Sequence, residues 1–184
     1  MAMGGELLTG ALAGIAFIGC AMTNAAGAAT PGQGRRREVV VNGRRVKTVD
    51  IHAHCIVPEA AAVINHPLEA PGLLWSNLSD RIAEMDAEGV DVEALSINPY
   101  WYRAERDAAA ELIRLQNEKL AEFCAGTPDR FVAFATVALQ HPDLAVEQLE
   151  YATKRLGLRG LSVGGSVAGQ ELADPKFHPV WAKA

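Results

Sequence analysis

Along the chain, apolar positions switch repeatedly between two periods. Over residues 79–88, Ile82 and Met85 recur at helical spacing, and Gly89 is placed to stop the helix. Val92-Glu93-Ala94-Leu95-Ser96-Ile97 then reads as a strand. A second helix is predicted over residues 104–124, closed by Gly126 and Pro128. Residues 131–139 are nearly continuously apolar, the pattern of a strand buried on both faces. Pro142-Asp143 opens a third helix that runs to Gly157, residues 158–163 form a further strand, and a last helix starts near Pro175. Upstream, residues 38–41 and 44–46 flank Asn42-Gly43, a pair that tolerates the positive φ of a type I′ turn, so a hairpin is predicted to lead into the next strand.

That next strand is Val49-Asp50-Ile51-His52-Ala53-His54, an apolar run carrying two imidazoles one residue apart behind a carboxylate. Strand side chains alternate faces, so Asp50, His52 and His54 are expected to point one way and Cys55 the other. Neutral imidazole suits zinc and related divalent ions, and a carboxylate close behind can orient a ligating ring. His52 and His54 therefore read as half of a metal site, with Asp50 as an orienter. Cys55 reads as a buried apolar thiol.

Alternating buried strands and helices predict an α/β fold with a parallel sheet, either doubly wound or a (β/α) barrel. A dinucleotide-binding sheet needs a Gly-rich loop after its first strand. Here that strand ends in His-Ala-His, and the glycine pair Gly164-Gly165 follows the fourth. In barrels functional groups gather at the carboxyl ends of strands, where His52 and His54 fall.

The net charge of −5 argues against a nucleic-acid surface, and the arginines at positions 35–37, 44 and 45 read as a solvated face. Cys20, Cys55 and Cys124 are odd in number and widely spaced, which fits a reducing, cytoplasmic compartment. Residues 7–22 are apolar and Ala/Gly-rich, imitating a signal core, but no Lys or Arg precedes them and they are short for a membrane span. Gly4-Gly5-Glu6-Leu7-Leu8-Thr9-Gly10 is similar to a twin-arginine leader with glycines for the arginines, which leaves export as the alternative location. Residues 1–34 are expected to lie outside the fold as a leader remnant or flexible tail, and residues 35–184 to form the domain.

The chain resembles the metal-dependent amidohydrolase superfamily, in the branch of aminocarboxymuconate-semialdehyde decarboxylase and related aromatic-acid decarboxylases. The resemblance is carried by the His-x-His strand, by Arg81-Ile82-Ala83-Glu84-Met85-Asp86-Ala87-Glu88-Gly89-Val90-Asp91, and by Ala94-Leu95-Ser96. It continues through Asn117-Glu118-Lys119-Leu120-Ala121, Pro128-Asp129-Arg130-Phe131, Leu156-Gly157-Leu158-Arg159-Gly160, Asp174-Pro175-Lys176-Phe177 and Trp181. It implies a (β/α)8 TIM barrel and a divalent metal, zinc first and manganese second. His52 and His54 would be joined by a histidine of barrel strand five and an aspartate of strand eight. Ala184 falls before strand five should begin, so the expected architecture is the first half of such a barrel, in a fragment or truncated product. Its open strand edges would invite pairing with another chain, a homo-oligomer included.

The implied activity is a carboxy-lyase acting on a small aromatic or unsaturated carboxylic acid. A hydrolase of a lactone, amide or ester on the same scaffold is the alternative, and an inactive half-barrel needing a partner chain is a third reading. Tyr100, Trp101 and Tyr102 follow the second strand at the catalytic end. Tyr100 and Trp101 are candidate walls for a planar substrate, against packing under a loop, and Arg103 is a candidate partner for its carboxylate. His141, His66 and His178 read better as a helix-start, a loop and a structural histidine. Neither Ser96 nor Ser162 has the neighbours of a nucleophile.

Overall fold

A computed structural model describes residues 14–18, 36–68, 74–75 and 77–184. In chain order the strands are β1 (Ala16–Ile18), β2 (Val40–Val41), β3 (Arg44–Arg45), β4 (Val49–Ile56), β5 (Leu74–Trp75), β6 (Val92–Ser96) and β7 (Phe131–Ala133). The helices are α1 (Pro58–Val63), α2 (Leu78–Glu88), α3 (Arg106–Gly126), α4 (Pro142–Lys154) and α5 (His178–Lys183), the last preceded by a 3-10 turn, Pro175–Phe177. Among the described residues no helix is long and apolar enough to cross a membrane.

Local signals account for most of these boundaries. Asn77 caps α2 by accepting the Ser79 N–H (3.0 Å), and Gly89 ends it at φ 81°. The β2–β3 hairpin turns on Asn42 (φ 51°) and Gly43 (φ 75°), as the Asn-Gly pair predicts. On α3 the buried positions Leu112, Ile113, Gln116, Asn117, Leu120 and Phe123 recur on one face.

The sheet runs in the order β5-β1-β4-β6-β7. β4, β6 and β7 are parallel and joined by helical crossovers, the parallel α/β arrangement predicted from the alternation. Every residue of β6 is buried, as befits the central parallel strand. The core lies between the sheet and α3 and α4. Phe17, Phe123 and Phe131 meet there with ring centres 5.1 to 5.7 Å apart. Each such ring contributes on the order of 2–3 kcal/mol through burial.

Three expectations need correction. Residues 1–34 do not all stand outside the fold, because β1 pairs antiparallel with both β4 and β5 and puts Phe17 into the core. An apolar strand there shields the carboxyl half of the β4 edge, which would otherwise expose unpaired backbone groups. The remaining leader-like positions, including Gly4 to Gly10 and Cys20, lie outside the described residues. Second, the strand predicted over 131–139 is regular only to Ala133, although Ala135 to Leu139 stay buried, because the Asn117 amide replaces a neighbouring strand at Thr136. Third, residues 158–163 form one parallel bridge, Ala135 to Leu161, flanked by Arg159 N–H to Ala133 O and Ser162 N–H to Ala135 O. Gly160, at φ 109°, interrupts the extended run.

At the amino ends of the strands, Asp91 accepts the Thr48 N–H (2.8 Å) and pairs with Arg36 (2.6 Å) and Arg45. The Thr48 bond, with the two guanidiniums, holds its carboxyl below the usual range. This cluster fastens the hairpin to the sheet and leaves the carboxyl ends for chemistry.

Candidate metal centre

β4 brings His52 and His54 toward the carboxyl end of the sheet, with ring centres 4.7 Å apart and planes at 87°. Two imidazoles bound to one tetrahedral metal at about 2.1 Å per bond hold their ring centres about 5 Å apart, so the pair fits a shared divalent ion. His52 is exposed and His54 half-buried. Burial, then the neighbouring His52, lowers the His54 pKa, against a hydrogen bond with the Ser96 backbone and the charge of Asp50. The net direction favours the neutral ring, which is the form that ligates. Among the described residues no third His, Cys, Asp or Glu joins them in a metal-sized cluster.

The face expected for Asp50 is not the one observed. In the β4–β6 ladder Asp50 lies opposite Glu93, yet Ala53 lies opposite Leu95 and His54 opposite Ser96, so β4 carries one extra residue between Asp50 and Ala53. Glu93 and Ser96 are an odd number of positions apart and project to opposite faces of β6. Their partners Asp50 and His54 therefore do the same. Asp50 Oδ1 accepts the backbone N–H of His52 (2.8 Å) rather than a ring N–H, so it shapes the bulge rather than orienting an imidazole. The group beside the His54 ring is Ser96, whose Oγ is 3.0 Å from Nδ1. The sequence discounted Ser96 for want of neighbours, because the register that sets it beside His54 is not a local property.

Cys55 points away from the histidines into the core, and burial pushes its thiol up, in line with a structural role. Tyr100 is half-buried, with its hydroxyl accepting from Gln116 Nε2 (2.9 Å) and its pKa pushed up to about 12 by burial. His66 stacks on the Tyr100 ring at 4.1 Å and 9°, and both line a small cavity with Ile56, Ile97 and Asn98 at the carboxyl end of β4 and β6. Trp101 does not form a pocket wall. It is fully buried and donates its indole N–H to Val137 O (2.9 Å), because a large apolar ring with a satisfied polar edge belongs in the core. Arg103 is exposed beside it. His141 precedes α4, with Nε2 3.3 Å from Ala104 O, and His178 is exposed at the start of α5. The His66–Tyr100 stack was not foreseen, since the two lie on separate loops.

The amidohydrolase family profile matches residues 49–184. Gamma-resorcylate decarboxylase of Rhizobium sp. (strain MTP-10005) is 36% identical over 129 residues, covering 61% of this chain and 39% of the relative. The 2-amino-3-carboxymuconate-6-semialdehyde decarboxylase of Dictyostelium discoideum is 29% identical over 103 residues, covering 55% of this chain and 29% of the relative. Among solved structures, a dihydroxybenzoic acid decarboxylase from Polaromonas sp. JS666, with bound manganese and the inhibitor 2-nitroresorcinol, superposes with a TM-score of 0.62 at 25% identity. It covers 74% of this chain and 46% of that one. The chain thus spans less than half the length of each of these three relatives.

Proposed function

From the premise that this chain belongs to the amidohydrolase family, we propose that it serves a metal-dependent carboxy-lyase that removes carbon dioxide from a small aromatic or unsaturated carboxylic acid. The observation that carries this reading is the His52–His54 pair on one face near the carboxyl end of β4, in a segment similar to decarboxylases of aromatic and unsaturated acids. His52 and His54 would hold the divalent ion. Imidazole donors suit zinc, and the manganese in the Polaromonas decarboxylase supports that ion as well. When bound, the ion supplies positive charge that steadies negative charge developing on the substrate oxygens.

The chain's own residues would bind and orient the substrate. The carbon–carbon bond to the carboxylate breaks, its electron pair stays on the ring or enamine carbon, and that carbon takes up a proton. The half-buried Tyr100 ring, braced by His66, offers a flat wall for a planar substrate. Arg103, exposed at the same end, can meet a carboxylate in bidentate fashion. The two described cysteines, both free thiols, support a reducing, cytoplasmic setting.

The test is metal binding and product analysis on the purified chain after zinc or manganese loading. His52→Ala and His54→Ala are each expected to weaken metal binding at least about tenfold. Hydroxybenzoic acids lacking any hydrolysable bond should release carbon dioxide. Unchanged metal uptake in the double variant rejects the ligand assignment, and turnover of an ester or lactone without carbon dioxide release from any acid rejects the lyase reading.

A further inference from the structure

We infer that Ser96 is a positioning residue that holds the His54 imidazole in the tautomer able to bind metal through Nε2. The inference rests on the metal reading above and adds a residue to it. Ser96 is 8% exposed and lies directly opposite His54 in the β4–β6 ladder, so its place is set by backbone pairing rather than by a flexible loop. Its Oγ is 3.0 Å from His54 Nδ1 and 3.4 Å from the carbonyl oxygen of Ala53.

A hydroxyl has one proton to donate and two lone pairs to offer. The Ala53 carbonyl can only accept, so it takes the Ser96 proton. The Ser96 oxygen is then left to accept from the ring, which places the imidazole proton on Nδ1. Nε2 is left with a free lone pair. In the opposite arrangement Ser96 would donate to Nδ1, the proton would sit on Nε2, and neither nitrogen could bind a metal. A free histidine side chain in water prefers that second tautomer, so the serine reverses the intrinsic preference.

Long-range proton–nitrogen NMR of 15N-histidine-labelled protein, without metal and at a pH where the ring is neutral, reads the tautomer directly. The wild-type His54 signal is expected in the Nδ1–H pattern, moving to Nε2–H or a mixture in Ser96→Ala and returning in Ser96→Thr. Zinc titration by calorimetry should show affinity about 10- to 100-fold lower in Ser96→Ala, regained in Ser96→Thr. An Nε2–H pattern in the wild type, or the same pattern in wild type and Ser96→Ala, overturns the role of Ser96 whatever the metal does. An Nδ1–H ring in a wild-type protein that takes up no zinc or manganese overturns the metal centre instead.

Discussion

Asn117 shows how much one side chain can organise. From the buried face of α3 its Nδ2 donates to Thr136 O (2.9 Å), while its Oδ1 accepts the Thr136 N–H (2.9 Å) and the Thr136 hydroxyl (3.1 Å). The side-chain amide thus does the work of a neighbouring strand at the point where β7 loses regularity. Asn117→Ala strands a buried N–H and a buried carbonyl, each costing about 1–3 kcal/mol, so the variant is expected to lose about 2–6 kcal/mol in urea unfolding. A loss under about 0.5 kcal/mol would show that Thr136 finds other partners. The same principle governs the candidate site. His52 and His54 are recognisable as residue types, whereas the partner that settles the state of His54 is chosen by strand register, and the carboxylate next in sequence, Asp50, is turned to the other face by one extra residue.

Between elements, exposed ion pairs tie the helices together. Arg106 in the first turn of α3 grips Asp143 in the first turn of α4 through two bonds of 2.9 and 2.7 Å, and Glu150 joins Lys154 of its own helix to Lys183 of α5. The Arg106 bonds hold the Asp143 carboxyl at about 2, and Lys154, then Lys183, hold Glu150 at about 2. Both values are depressed in the folded chain, so the folded state binds fewer protons there than the unfolded chain does. The stabilisation is therefore present above the ordinary values of 3.8 and 4.5 and is lost as pH falls toward about 2. The melting temperature should drop across that window, and drop less in the Asp143→Asn/Glu150→Gln variant. Parallel curves for the two proteins would show that these pairs carry no pH dependence. High salt should flatten the wild-type curve, because the pairs are exposed and screened.

For the molecule as a whole, the decisive feature is β1, which closes part of the β4 edge and delivers Phe17 to the aromatic cluster with Phe123 and Phe131. Phe17→Ala should therefore cost about 3–5 kcal/mol. An unchanged midpoint in urea would return residues 14–18 to the status of an appended leader. The hairpin at Asn42-Gly43, the helices α2, α3 and α4, the strand β6 and the histidine pair were all legible in the chain, because each is written in signals a few residues long: a cap, a glycine stop, an apolar period, a His-x-His. Those signals by themselves determined the α/β order and the chemistry offered by the β4 face. The pairing of β1 with β4, the bulge that separates Asp50 from His54, the burial of Trp101, the Asn117 clasp and the Ser96 contact were decided only in the tertiary structure. Each depends on which distant backbone comes to lie alongside, and that choice is made by the packing of the whole core rather than by any local stretch of residues.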